Sequence, residues 1–123
     1  MAKWQGEHDA ESLAKHLRRR LASRAGLSER RMFGGVCFML NGNMLCGAGK
    51  NGYMFRVDRA RVAEARRLPG GRPLVMRGRA MQGFFWVEPA ACDVRGLPRW
   101  LALAEEYVGG LAAKPAKRRR AGA

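Results

Sequence analysis

The sequence predicts an α+β protein, a two-layer sandwich in which helices cover an antiparallel sheet of about five strands. Two Asn-Gly dipeptides, Asn41-Gly42 and Asn51-Gly52, each separate apolar stretches. Asn-Gly readily forms the type I′ turn of a β-hairpin, so the middle of the chain is predicted to be a three-stranded meander. One helix is predicted before the meander, and a helix, two strands and a final helix are predicted after it. The predicted order is therefore helix, three strands, helix, two strands, helix.

Leucines spaced four residues apart indicate the first helix, over residues 9–24. Leu13, Leu17 and Leu21 share one face of this segment, and Asp9 is a suitable N-cap. The other faces are basic and include three candidate contacts for nucleic acid, Arg18, Arg19 and Arg20. An ordinary solvated helix surface explains the same charges, and both interpretations stay open.

The meander is predicted to begin at Met32-Phe33-Gly34-Gly35 and to end at Asp58. With two-residue turns, Cys37 opposes Cys46, and Cys46 opposes Val57. Side chains alternate along a strand, so each face of the meander can be predicted. One face holds Phe33, Cys37, Met39, Met44, Cys46, Phe55 and Val57. The other holds Met32, Val36, Phe38, Leu40, Leu45 and Met54.

Both predicted faces are apolar, unlike those of a sheet with one side in water. The helices of so short a chain should cover one face fully and the other in part. The apolar surface that remains favours self-association. We therefore expect a homodimer built on the sheet or its edge.

A short helix and two further strands follow the meander. Asp58 is a suitable cap for a helix over residues 59–68, which Pro69-Gly70-Gly71 ends. Strands are predicted over residues 73–79 and 84–87, with a turn near residues 80–83.

Pro98 suits the first turn of the last helix. The apolar stripe of this helix is Leu97, Trp100, Leu101, Ala104, Tyr107, Val108 and Leu111. We expect three segments in the chain: a flexible N-terminus over residues 1–8, one domain over residues 9–113, and a disordered basic tail over residues 114–123.

The net charge of +14 favours polyanionic partners, and nucleic acid is the first candidate. Candidate contacts in the tail are Lys114, Lys117, Arg118, Arg119 and Arg120. The tail has no aromatic residue for base stacking, so binding through it should be weak, independent of sequence and sensitive to salt. A solubilising terminus is the alternative. No apolar run is long enough to span a membrane, no secretory signal is present, and we expect a cytoplasmic protein.

The sequence gives little support to catalysis. The histidines are His8 and His16, neither of which is indicated to pair with a cysteine, and the carboxylates show no spacing specific to acid/base chemistry. The methionines and cysteines could in principle bind a soft metal, but Met39, Met44 and Met54 occupy predicted strand positions, where core packing is a simpler explanation. We expect no enzyme activity, no cofactor and no metal.

The predicted pairing of Cys37 with Cys46 leaves two alternatives. The two-residue turn would make them a non-hydrogen-bonded cross-strand pair. The Cα atoms of such a pair lie about 4.5 Å apart, which is the short limit for a disulfide. A redox pair and two reduced neighbours are both compatible with that geometry, although reduced thiols are the rule in a cytoplasmic protein.

Several short motifs together resemble the N-terminal domain of the TfoX/Sxy family of bacterial competence regulators. They include Met32-Phe33-Gly34-Gly35, Asn41-Gly42, the segment from Tyr53 through Arg56 to Asp58, the aromatic strand 84–87, and Trp100. The resemblance spans roughly residues 13–111 and implies a secretion-chaperone-like sandwich and dimerisation. It supplies no catalytic residue, and we interpret the motif residues as structural.

Full-length members of the family also carry a helical C-terminal domain, in whose place this chain has a basic tail. We therefore expect a stand-alone domain with a small regulatory or adaptor role, exerted through protein–protein contacts. Sequence-independent electrostatic binding of nucleic acid is the alternative.

Overall fold

The computed structural model describes residues 10–32 and 34–114, and it confirms the α+β class. The helices are α1 (Ala10–Leu21), α2 (Val62–Arg66) and α3 (Gly96–Val108). The strands are β1 (Leu27–Met32), β2 (Gly35–Leu40), β3 (Asn43–Gly49), β4 (Gly52–Arg56), β5 (Gly71–Met76) and β6 (Arg79–Val87). Short 3₁₀ turns at Arg59–Arg61 and Pro89–Ala91 precede α2 and α3.

The strands form one antiparallel sheet in the order β1-β2-β3-β4-β6-β5. The buried side chains of α1, α2 and α3 all belong to one core cluster on a single side of this sheet, which we call the helix side. Among the helices described, none is long and apolar enough to cross a membrane.

Trp100 of α3 lies at the centre of the helix-side core. Its ring stacks on Phe55 at 5.5 Å between centroids and lies tilted against Phe85 at 5.6 Å. A Cβ added to Gly71 would stand 2.7 Å from the indole, so a glycine allows β5 to approach it. The predicted apolar stripe of α3 thus packs on strands from both halves of the sheet.

The sixth strand, β1, is the element that the sequence does not predict. Its residues, Leu-Ser-Glu-Arg-Arg-Met, are exposed along most of their length and show no apolar alternation. They nevertheless pair with β2 in continuous register from Leu27↔Leu40 to Met32↔Gly35. Because β1 is an edge strand with one partner, charged side chains are tolerated along it.

One predicted Asn-Gly turn is confirmed and the other is wrong. Asn41 and Gly42 have φ values of 53° and 82°, as a type I′ turn requires. The next turn uses Lys50 and Asn51, because Gly49 pairs with Gly52. Gly52 instead belongs to β4, where its φ is 109° and an added Cβ would lie 2.5 Å from the carbonyl oxygen of Val87.

A β-bulge between β2 and β3 overturns the predicted register. Met39 pairs with Met44, as the turn requires, but Phe38 pairs with Cys46. Leu45 is therefore an extra residue on β3. Beyond a bulge of this kind, every side chain of the strand lies on the opposite face from the one that simple alternation predicts.

The bulge redistributes the predicted faces. The helix side holds Val36, Phe38, Leu40, Leu45, Cys46, Phe55 and Val57. The opposite side holds Met32, Cys37, Met39, Met44 and Met54. Grouping Cys37 with Cys46, Phe55 and Val57 is therefore wrong, and so is grouping Phe38 with Met32 and Met54. The prediction that both sides are apolar is confirmed.

The second half of the chain differs from prediction mainly in its turns. The helix predicted over residues 59–68 is a 3₁₀ turn followed by the short α2. The β5–β6 hairpin reverses at Arg77-Gly78, with φ values of 52° and 77°, so the turn predicted near residues 80–83 is wrong. Gly83, with a φ of 85°, lies within β6 instead.

Candidate functional site on the open face of the sheet

The side of the sheet opposite the helices, which we call the open face, carries an apolar cluster of its own. Three of its residues are buried, namely Cys37, Met54 and Leu74. Six more are half-buried and pack against them, namely Met32, Met39, Met44, Met76, Phe84 and Trp86. No helix residue belongs to this cluster, so strand side chains alone cover this side of the sheet in the part of the chain that the structure describes.

The six methionines that the structure describes all lie on the open face. Five methionines belong to its cluster, and Met81 lines the groove described below. The helix-side cluster contains leucine, valine and aromatic residues but no methionine among its described members. Methionine is unbranched and polarizable, so a methionine surface can adapt to partners of different shape.

An apolar groove of about 350 Å³ lies on the open face, lined by residues of β3, β4, β5 and β6. Its lining residues are Met44, Asn51, Met54, Leu74, Val75, Met76, Met81, Phe84 and Trp86. Neighbouring positions on β3 are glycines. An added Cβ on Gly49 would lie 3.7 Å from the indole of Trp86. The ring therefore lies beside β3 at a position where that strand has no side chain.

Charged residues on the strands differ sharply between the two sides. Glu29 is the one acidic residue in the six described strands, and it pairs with Phe38, which places it on the helix side. On the open face, Arg30 pairs with Cys37, Arg72 with Trp86, and Arg79 with Met76. The apolar surface therefore has arginines along it and no strand carboxylate.

On the helix side, several arginines are neutralised by carboxylates. Arg18 donates to Glu29 through two nitrogens, at 2.6 and 2.8 Å, and this bond lowers the pKa of the Glu29 carboxyl. Arg24 donates to Glu105 at 2.5 Å. Arg61 contacts Glu106 at 2.6 Å, on α3. The described ion pairs leave Arg30, Arg72 and Arg79 without a carboxylate.

Arg56, one of the family-motif residues, links the two layers of the molecule. Its guanidinium lies 5.6 Å from the ring centroid of Phe84 on the open face and 5.4 Å from that of Tyr107 on α3. It also donates to the carbonyl oxygen of Met44 at 3.4 Å. Such cation–π contacts make Arg56 a structural residue that joins the open face to α3.

The three cysteines are free thiols in buried positions. Cys37 pairs with Gly47 and lies on the open face, whereas Cys46 pairs with Phe38 and lies on the helix side. The predicted cross-strand pairing of Cys37 with Cys46 is therefore wrong. Burial raises the pKa of Cys37 to about 11 and that of Cys92 to about 12, so neither thiol is an activated nucleophile.

The structure separates the residues predicted to contact nucleic acid. Arg18 is held by Glu29, whereas Arg19 and Arg20 are exposed on α1. Lys114, which the sequence assigns to the tail, is placed by its backbone N–H, which donates to the carbonyl oxygen of Asn41 at 2.8 Å. The other tail candidates, Lys117, Arg118, Arg119 and Arg120, lie outside the described residues.

The remaining family-motif residues have backbone or packing roles, and Phe33 lies outside the described residues. A Cβ on Gly35 would stand 2.0 Å from the carbonyl oxygen of Ala48, and Gly34 has a φ of 73° where the chain reverses between β1 and β2. The carboxylate of Asp58 accepts from the N–H of Ala60 at 3.0 Å and caps the following 3₁₀ turn.

Histidine and carboxylate geometry adds no further candidate site. His16 is exposed on α1, and His8 lies outside the described residues. Among residues 10–32 and 34–114, no three His, Cys, Asp or Glu side chains cluster as metal ligands would.

Sequence reasoning missed the contribution of the second half of the sheet to the open face. Leu74, Met76, Met81, Phe84 and Trp86 line the groove together with Met44 and Met54 of the meander. One available signal was the strand Phe84-Phe85-Trp86-Val87, which is apolar at successive positions and therefore on both of its sides. Arg30 was missed because its strand was not predicted.

A comparison with protein families gives one match for this chain. A model of the family described as the TfoX N-terminal domain matches residues 19–107. Neither the curated proteins nor the solved structures yield a match to the chain. The matched range extends from α1 to α3 and includes every strand of the sheet.

Proposed function

Because the chain belongs to the TfoX N-terminal domain family, we propose that it is a small regulatory or adaptor protein that acts through protein–protein contacts. In this proposal it carries out no catalysis and binds no cofactor. The process is transcription control of the kind that the resemblance to competence regulators implies, in the cytoplasm.

The open face is the observation that supports an adaptor role. Six methionines and two aromatic residues form a surface that no helix covers in the described part of the chain. Contiguous apolar patches on a protein surface mark interaction sites, since their exposure to water is unfavourable. A partner that covers this surface removes it from water.

Affinity capture from the native cell tests this proposal with a matched pair of variants. Met81, which lines the groove, is 37% exposed, and Val94, before α3, is 79% exposed. Met81→Asp should abolish capture of a partner, because it places a charge in the apolar groove. Val94→Asp adds the same charge elsewhere and should leave capture unchanged. Equal capture by both variants would rule out the open face as the docking surface.

Electrostatic binding of nucleic acid is the second candidate function. Arg19 and Arg20 are exposed on α1, and no described ion pair involves either of them. The dependence of affinity on salt should weaken with each phosphate that the protein no longer neutralises. Gel shifts with duplex DNA at two salt concentrations test this idea. A double variant, Arg19→Glu with Arg20→Glu, should weaken binding, and an absence of any shift at low salt would exclude this function.

A further inference from the structure

We infer that the open face binds an acidic amphipathic segment of a partner protein, with its apolar side chains in the apolar groove and its carboxylates on the flanking arginines. This inference rests on the proposed adaptor function. It adds the chemical class of the partner.

The groove fits the side chains of a segment. Its volume of about 350 Å³ lies near the lower end of the roughly 300–1,000 Å³ that is typical of ligand pockets. Four methionines and Leu74 are among its lining residues, and Phe84 and Trp86 add two flat rings. Such a surface accepts aliphatic or aromatic anchors without demanding one fixed shape.

The positive charge of the arginines around the groove favours a negatively charged partner. Arg72 lies opposite Trp86 on the edge strand β5, and Arg79 lies opposite Met76 at the hairpin end. Arg30 stands beside Cys37 near the other edge of the sheet. All three are exposed, and no described ion pair neutralises them. Carboxylates that flank an apolar anchor would complement this arrangement.

A second copy of the chain and a nucleic acid both complement the open face less well. A second copy would bring the same arginines toward one another, since no strand carboxylate on the open face is described to oppose them. The phosphates of a nucleic acid would pair with the arginines. Its bases, however, stack best on aromatic rings, and most of the apolar side chains on this surface are methionines. An acidic amphipathic segment complements both the apolar groove and the arginines.

Methyl NMR of the full chain, labelled at methionine, provides a direct test. The probe is a synthetic amphipathic peptide with leucines on one side and glutamates on the other. Adding it should shift the methyl signals of Met44, Met54, Met76 and Met81, which line the groove. The same peptide with lysine in place of each glutamate should bind at least about tenfold more weakly, because like charges would meet.

Two double variants separate local charge from net charge. Arg72→Glu with Arg79→Glu should weaken binding of the glutamate peptide at least about tenfold and favour the lysine peptide. Arg66→Glu with Arg67→Glu makes the same change in net charge on exposed residues at the end of α2 and should have little effect. The methyl spectrum of each free variant shows whether it is folded.

Four outcomes would overturn the inference. They are the absence of methyl shifts with the glutamate peptide, equal affinity for the two peptides, the same shifts produced by DNA, and the same shifts produced by raising the protein concentration alone. Capture of a partner that depends on Met81, together with equal peptide affinities, would refute the acidic partner but leave the adaptor function standing. Capture independent of Met81 would refute the adaptor function itself.

Discussion

Two adjacent glycines of the Met-Phe-Gly-Gly motif serve different physical purposes. Gly34 has a positive φ of 73°, but an added Cβ would meet nothing within 4 Å. An added Cβ on Gly35 would lie 2.0 Å from the carbonyl oxygen of Ala48 on β3. Gly34 supplies backbone freedom, and Gly35 supplies space between two strands.

We expect Gly35→Ala to be more destabilising than Gly34→Ala. The first forces β2 and β3 apart and should lower the free energy of unfolding by about 3 kcal/mol or more. The second imposes only the strain of alanine at positive φ, about 1–2 kcal/mol. Urea unfolding of both variants measures the difference, and a larger effect at Gly34 would contradict this account of the motif.

Cys37 illustrates how burial changes a residue without making it reactive. Its pKa rises to about 11 from an ordinary value of 9.0, and the cause is desolvation. The folded chain therefore holds the thiol proton more tightly than the unfolded chain does. The side chain is 2% exposed, so it packs as a small apolar group at the base of the open face.

The raised pKa of Cys37 predicts a loss of stability at alkaline pH. Above pH 9 the unfolded chain releases the thiol proton while the folded chain retains it, until the pH reaches about 11. The free energy of unfolding should fall over this interval by an amount on the order of 2 kcal/mol. Urea titrations at several pH values should show a shallower decline for Cys37→Ala, and equal slopes would show that another group is responsible.

At the scale of secondary structure, turns and bulges decide which side chains meet. Leu45 is the extra residue of β3, and its insertion brings Cys46 to the helix side. Alternation alone places Cys46 with Cys37, because it assumes unbroken pairing. Nothing in the local sequence marks the bulge, since the residues on both sides of it are apolar.

The hairpin of β5 and β6 contains a residue poorly suited to its turn. Arg77 has a φ of 52°, a conformation that asparagine or glycine adopts more easily than a long side chain does. Asn41, in the other type I′ turn, has nearly the same φ of 53°. The hairpin that carries Met76 and Met81 is thus closed by a strained residue.

Arg77→Asn should stabilise the protein by about 0.5–1 kcal/mol, because asparagine reduces the strain of positive φ. Arg67→Asn is a suitable control, since Arg67 is also exposed but has a φ of −80°. The control should be close to neutral. Thermal unfolding of both variants checks the expectation, and a lower melting temperature for Arg77→Asn would contradict it.

At the scale of the whole molecule, the two sides of the sheet differ in role: the helix side forms the core, and the open face is the proposed binding surface. The helices and one side of the sheet form a core rich in leucine, valine and aromatic residues. The other side of the sheet carries the apolar cluster with its methionines, together with arginines that have no carboxylate partner among the described ion pairs. A net charge of +14 on 123 residues reinforces the preference for acidic partners.

The homodimer predicted from the sequence stays a prediction, and salt offers a test of it. Two copies joined at their open faces would bring arginines together, so the dimer should tighten as salt screens their repulsion. Sedimentation at low and high ionic strength measures this dependence, and Met81→Asp should weaken the dimer. A tight dimer at low salt, abolished by Met81→Asp, would favour a second copy over an acidic partner.

The sequence by itself determined the fold class, the order of the helices and the apolar character of both sides of the sheet. These features follow from local signals, such as the leucine spacing of α1, the Asn41-Gly42 turn and the stripe of α3 around Trp100. Only the tertiary structure decided which side the helices cover, and that methionines from all six described strands lie on the other side. A strand side chain takes its face from pairing with residues far along the chain, as the bulge at Leu45 shows.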